Sequence, residues 1–163
     1  MRSLIIAFFL SASSVSWAQS FPDELPISLR VMLNGKFSGW KFSDVSPEVR
    51  QFFKENMGGA SPVVISGDFD GNGRRDYAAL VQRRARYYLV IFLRRTADYK
   101  MYVIKDPNGE YLNLARKGTR DYNYREQKEI TYANDAIATG ILEKGGSSYI
   151  FKNGRFRSFV SSD

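Results

Sequence analysis

Asp68, Asp70, Asn72 and Asp76 are the side chains of this sequence best spaced to do chemistry together. They recur at every second or fourth position through Gly67-Asp68-Phe69-Asp70-Gly71-Asn72-Gly73-Arg74-Arg75-Asp76. Their oxygens are hard donors, and calcium takes about six to eight such oxygens. Gly71 and Gly73 let the backbone curl until alternate side chains and one carbonyl face a common point. The expected ligands are therefore Asp68, Asp70 and Asn72 by side chain, Arg74 by its backbone carbonyl, and Asp76 by side chain. Three carboxylates drawn to one bend repel one another unless a cation neutralises them, which favours Ca2+ over the alternative, a metal-free turn whose Asp and Asn cap backbone amides. An EF-hand does not fit: Ala79 stands where its bidentate Glu belongs, and strands rather than helices flank the loop. A lone loop in an extracellular setting is expected to bind weakly, with a Kd of ~10⁻⁴ to 10⁻³ M, which suits a structural staple.

Other chemistry is narrowed by what the chain lacks. With neither histidine nor cysteine in the sequence, thiol nucleophiles, the usual general base, zinc ligand sets and Ser-His-Asp triads are absent. Paired carboxylates, Lys or Tyr acting as acid or base, or a metal-activated water are left as catalytic options. Asp121, Glu126, Glu129, Asp135 and Glu143 are the candidate catalytic carboxylates outside the loop, and their polar surroundings read as a solvated face. Ser147 and Ser148, after Gly145-Gly146, read as turn residues because no partner base accompanies them. Tyr122, Tyr124 and Tyr132 could stack on sugars or anchor a protein, although cross-strand packing is the simpler expectation.

The elements that must hold the loop follow from periodicity. A short helix is expected around residues 25–33, with Leu25, Leu29, Met32 and Leu33 apolar and Asn34-Gly35 as a stop. A second starts at the Ser46 cap with Pro47 in its first turn, presents Val49, Phe52, Phe53 and Met57, and ends at Gly58-Gly59. Trp40, between them, is expected in the core. From Pro62 the period changes to two, with strands expected at 63–65, 77–81, 87–93 and 101–104. Residues 87–93 are apolar at successive positions and mark a central strand covered on both faces. Residues 116–129 suggest an exposed excursion or an edge hairpin. Further strands are expected at 130–132, 136–142, 148–151 and 155–160, the last two joined by the Asn153-Gly154 turn. The fold class is α+β: N-terminal helices packed on a meandering antiparallel sheet, in one domain over residues 19–163.

The first residues name a compartment. Arg2, the apolar run Leu4–Leu10 and the small residues at Ser16 and Ala18 form a secretory signal peptide over residues 1–18, cleaved after Ala18. The run is too short to span a membrane, which takes ~20 apolar residues. Export to a periplasm or to the medium is expected. Its removal takes only Arg2 from 24 basic residues against 17 acidic ones, so the remainder stays near +6. That excess favours acidic partners, and no nucleic-acid motif accompanies it. Arg75, Arg83, Arg84 and Arg86, interleaved with tyrosines near hairpin ends, form the candidate anion-binding surface. Solvated hairpin tips are the simpler reading of the same charges.

The stretch Ile65-Ser66-Gly67-Asp68-Phe69-Asp70-Gly71-Asn72-Gly73-Arg74-Arg75-Asp76-Tyr77-Ala78 resembles the FG-GAP, or VCBS-like, repeat, a strand, acidic loop and second strand that hold calcium. The match covers about residues 62–82. Such repeats normally come in tandem around a propeller, whereas this chain carries one, and its length excludes a propeller. The whole layout, with a closing hairpin over residues 147–156, is similar to small exported bacterial proteins bearing a solitary loop. The resemblance implies calcium and a compact α+β fold and passes on no catalytic residue. The function expected first is an exported calcium-stapled interaction domain without a catalytic site, its ion fixing a hinge between helical and sheet halves, with a protein or anionic envelope polymer as partner. The alternatives are a calcium-dependent hydrolase of envelope glycan or phosphoester, and a small inhibitor or immunity-type protein.

Overall fold

The structure, a computed structural model, describes residues 25–161, so the signal peptide expected at residues 1–18 lies outside the described residues. The first half of the chain holds α1 (Ile27–Lys36), β1 (Trp40–Phe42), α2 (Pro47–Asn56), β2 (Val64–Gly67), β3 (Asp76–Arg83), β4 (Arg86–Arg94) and β5 (Tyr99–Lys105). The second half is all strand: β6 (Tyr111–Ala115), β7 (Arg120–Asn123), β8 (Lys128–Thr131), β9 (Ala136–Ile141), β10 (Gly145–Lys152) and β11 (Arg155–Ser161). The chain is mostly β, with two short helices and antiparallel pairing throughout these strands. The strands do not form one meandering sheet. They form a five-stranded sheet around β3 and β4, a four-stranded sheet in the order β11-β10-β9-β6, and a separate β7–β8 hairpin.

The apolar run of β4 explains the division. Leu89, Val90, Ile91, Phe92 and Leu93 are all fully buried, so both faces of the first sheet need cover. Leu25, Leu29 and Leu33 cover one face, against Tyr77, Ala79, Val81, Val90 and Phe92. The other face, built from Ala78, Leu80, Leu89, Ile91 and Leu93, meets Leu112, Ile137 and Tyr149 of the second sheet. α2 instead packs Val49 and Phe53 on Tyr111 of β6. The β7–β8 hairpin lies over the far side of the second sheet, where Ile130 and Tyr132 meet Ala136, Ile150 and Phe159.

β3 has one edge paired along its length with β4 and the other shared by two strands end to end. β2 pairs with Asp76–Ala79 and β1 with Val81–Arg83. Leu80 lies between them, its carbonyl accepting from the Ser43 amide (3.1 Å) and its amide donating to the Val63 carbonyl (2.9 Å). α2 is thus an excursion off one edge. Ser46 caps it, accepting from the Val49 amide at 3.3 Å with Pro47 in the first turn, and the Gly59 amide returns to the Phe53 carbonyl at its end.

Helix α1 continues through Asn34-Gly35 to Lys36. Asn34 accepts from the Trp40 indole N–H (2.7 Å), and the extra turn brings Phe37 edge-on to Tyr88 (4.9 Å). Tertiary contacts override a local stop signal there. Trp40 is half-buried on the short strand β1, packed beside the α1 core rather than inside it. β1 and β6 carried no clear period and are additions to the expected elements. Of the two forms expected for 116–129, an exposed excursion or an edge hairpin, the chain takes a hairpin, β7–β8, which runs on to Thr131 into the strand expected at 130–132 and is layered on a sheet face rather than paired at its edge.

The burial contrast along the first sheet is testable by urea unfolding. Phe92→Ala is expected to cost about 3–5 kcal/mol. Val103→Ala, on the outer strand β5 and 38 % exposed, is expected to cost under about 1 kcal/mol. Similar costs at the two positions would contradict the layering.

Candidate metal centre

Residues 68–75 connect β2 to β3, and their path is fixed from both ends. Phe69, between the first two acidic residues, is fully buried in the core between the sheets. Asp76, the first residue of β3, is also fully buried. Its Oδ2 accepts from the Phe69 amide (2.9 Å) and its Oδ1 from the Arg94 amide at the end of β4 (2.7 Å). The β3–β4 register, with Tyr77 opposite Phe92, places Arg94 across from this point. Asn72 then bonds the same residue, its Nδ2 donating to the Arg94 carbonyl at 2.9 Å.

Inside the loop the acidic and amide oxygens organise the backbone. Asp68 Oδ2 accepts from the Gly73 amide (2.9 Å), Asp70 Oδ1 from Asn72 (3.3 Å), and Asn72 Oδ1 from Arg74 (2.8 Å). A metal-free acidic turn makes bonds of this kind. Gly71 has φ +76°, and a Cβ there would strike the Asn134 side chain, so the bend requires glycine.

Asp68, Asp70 and Asp76 each bring a carboxylate oxygen within 4.8 Å of the others. Asp68 Oδ1 is buried and finds no hydrogen-bond partner among the described residues. A buried acceptor left unmatched costs about 1–3 kcal/mol, and more when charged. Burial pushes the Asp76 carboxyl up to about 6; the Arg94 and Phe69 amides pull the other way, and the Asp70 charge adds to the rise. An acceptor without a donor, beside crowded carboxylates, fits a hard cation. The Asp70 carboxylate also has a protein counter-ion, since Arg95 Nη1 lies 2.8 Å from its Oδ2.

Of the expected ligand set, the structure gathers the Asp68, Asp70 and Asp76 side chains and places Asn72 in the same turn. Arg74 lies in that turn, with its guanidinium donating to Thr96 Oγ1 at 3.3 Å. Two contributors outside the loop were not anticipated as part of it, Arg95 and Asp135. Asp135 does not lie on a solvated face: its Oδ2 accepts from the Asp68 amide (3.1 Å) and its Oδ1 from the Lys117 amide (2.9 Å). Gly67 permits that approach, because a Cβ there would come within 2.9 Å of Asp135 Oδ2. The loop therefore sits between the two sheets, and neither helix forms the hinge that was expected around it. A recess of about 350 Å³ adjoins it, lined by Asp68, Arg74, Arg75, Arg116 and Asp135 among others.

The arginines expected to share one surface separate into two places. Arg75 precedes β3, whereas Arg83, Arg84 and Arg86 lie at its far end, around the tight turn into β4. Those three line a hairpin-tip cavity with Tyr88, and Arg83 lies over the Phe37 ring at 5.5 Å. The tyrosine set also divides. Tyr122 and Tyr124 meet edge-on at 4.9 Å with Tyr124 exposed, but Tyr132 is buried. Its hydroxyl bonds Asp121 and Ser148 (2.8 Å), and Ser148 also bonds Ser161 (3.2 Å). Burial, then the bond to Asp121, pushes the Tyr132 phenol upward. Ser147 and Ser148 are thus buried strand residues of β10, not turn residues. Glu126, Glu129 and Glu143 are exposed, and Glu126 pairs with Lys128 at 2.5 Å.

Compared with protein-family models, curated proteins and solved structures, the chain matches none.

The raised Asp76 value sets a pH dependence. A folded value near 6 against an ordinary 3.8 means that this group's stabilisation is complete below about pH 4 and is lost as pH rises through 6. In chelator, its contribution to unfolding free energy should fall by on the order of 3 kcal/mol over that window. Urea unfolding at pH 4, 5, 6 and 7 checks this. Asp76→Asn, whatever its absolute cost, should flatten that part of the slope, and an unchanged slope would contradict the assignment.

Proposed function

We propose that this chain is an exported interaction domain whose acidic loop takes one calcium ion as a structural staple. The observation that carries the reading is the buried, unpartnered Asp68 Oδ1 beside the carboxylates of Asp70 and Asp76. Asp68, Asp70, Asn72 and Asp76 would hold the ion by side chain and Arg74 by its carbonyl, the set also implied by the FG-GAP resemblance. When bound, the ion supplies positive charge to a crowded acidic turn. The loop bonds Arg94 of the first sheet and Asp135 ahead of β9 in the second, so the bodies stapled are the two sheets. The secretory leader supports export, and millimolar calcium outside the cytoplasm suits a weak site.

The partner side of the proposal rests on the β3–β4 hairpin tip. Arg83, Arg84 and Arg86 lie there around a cavity shared with the half-buried Tyr88. Clustered guanidinium groups next to an aromatic ring suit an anionic envelope polymer or an acidic protein face. A second reading, calcium-dependent hydrolysis of a glycan or phosphoester, is favoured by one observation, the recess beside the loop with Arg74, Arg75 and Arg116 in its wall. Turnover of such a substrate that depends on calcium and is lost in Asp68→Ala would establish it.

Thermal unfolding of residues 19–163 in chelator, then across micromolar to millimolar calcium with magnesium as control, tests the staple. Calcium at about ten times its Kd should add about 1.4 kcal/mol of stability, and Asp70→Ala should abolish that gain. No calcium-specific shift would overturn the proposal. Separately, Arg83→Ala, Arg84→Ala and Arg86→Ala combined should weaken retention on anionic envelope polymer while leaving the calcium response intact.

A further inference from the structure

Two adjacent arginines end β4 and begin the next turn, and their side chains take different routes. Arg94 lays its guanidinium over the Tyr99 ring at 4.8 Å. Arg95 reaches the acidic loop, 25 positions earlier in the chain, with Nη1 at 2.8 Å from Asp70 Oδ2. The Asp70 side chain is 4 % exposed and that of Arg95 is 38 % exposed, so the pair is sheltered on its acidic side and open on its basic side. The placement is built in. The Asp76 and Asn72 bonds to Arg94 hold residue 94 under the loop, and the Arg95 amide closes its turn on the Asp98 carbonyl at 2.8 Å.

We propose that Arg95 is an internal counter-ion of the acidic loop, one that holds the turn together without metal and sets how weakly it takes a dication. The inference rests on the calcium reading of the same loop. With Asp68, Asp70 and Asp76 ionised, the cluster carries three negative charges, and Arg95 returns one positive charge to it. A cation arriving at Asp70 must displace the guanidinium or share the carboxylate with it. Displacement costs the existing ion pair, and sharing adds repulsion between like charges. Either route makes the native site weaker than the same oxygens without Arg95. The partial exposure of Arg95 leaves it room to swing aside, which a buried guanidinium would lack. Asp68 Oδ1, buried and without a hydrogen-bond partner among the described residues, stays available to the ion in either case.

Calcium binding to the chain from residue 19 is measured by isothermal titration calorimetry up to about 10 mM, and metal-free stability by urea unfolding in chelator. Arg95→Gln is expected to bind calcium about tenfold more tightly while its metal-free urea midpoint falls. Arg95→Lys, which keeps the charge, should stay within about twofold of the native affinity. Arg95→Met, keeping the aliphatic stem, gives the same readout should Arg95→Gln fail to fold. Tighter binding by the neutral variants supports the inference, including the case where only they bind measurably. Calcium binding by the native chain with equal or weaker binding by the neutral variants overturns it and leaves the calcium reading standing. If neither the native chain nor a neutral variant binds, both fail together.

Discussion

A carboxylate with no exposure to water holds the acidic loop to the body of the protein. Asp76 uses one oxygen on the Phe69 amide and the other on the Arg94 amide, joining the start of the loop, the start of β3 and the end of β4 at one residue. Burying such a group is expensive in isolation, and the two amide donors offset part of that cost. Much of the local arrangement follows from this choice. Phe69 is turned into the core between the sheets, Arg94 is held under the loop, and Arg95 is delivered to Asp70. The loop is therefore part of the sandwich rather than an appendage to it.

The second sheet meets that anchor through Asp135. Its two oxygens receive the Asp68 and Lys117 amides, so a single side chain ties the acidic turn to the segment between β6 and β7. A similar economy operates on the far side of the second sheet. There the β7–β8 hairpin is joined to β10 and β11 by Tyr132, Asp121, Ser148 and Ser161 as well as by apolar contact. Hydrogen bonds among buried hydroxyls and a carboxylate fix orientation in a way apolar area alone does not. Each outlying layer is thus located by a polar contact with one geometry.

Local signals in the sequence carried much of this. The cap at Ser46-Pro47, the doubly apolar run 87–93 and the Asn153-Gly154 hairpin turn were legible because each is decided by neighbours in the chain. The spacing of Asp68, Asp70 and Asp76 was legible for the same reason, and their side chains converge. What escaped was decided by distant residues. Helix α1 outran Asn34-Gly35 because Trp40 and Tyr88 rewarded the extra turn. Asp135 looked solvated because its partners are 18 and 67 positions away. Arg95 was nearer to hand. With Arg83 opposite Arg86, counting back along the hairpin sets Arg94 across from residue 75. The register alone would have brought both arginines to the loop. The same counting separates Arg75 from Arg83, Arg84 and Arg86, which spacing by itself does not.

The divided edge of β3 has a consequence for how the molecule keeps its own kind at a distance. An eight-residue strand with a continuous free edge would offer a template for pairing with another chain. Here that edge is filled by two short strands, and the backbone hydrogen bonds run on across the junction at Leu80. On this side of the sheet the outermost strands are only three and four residues long. The helix between them leaves the sheet and returns to it, so the outer rim is interrupted where a growing fibril would need it straight. This broken rim guards that one edge against strand-to-strand pairing, while the sheet's opposite edge is the uninterrupted seven-residue β5.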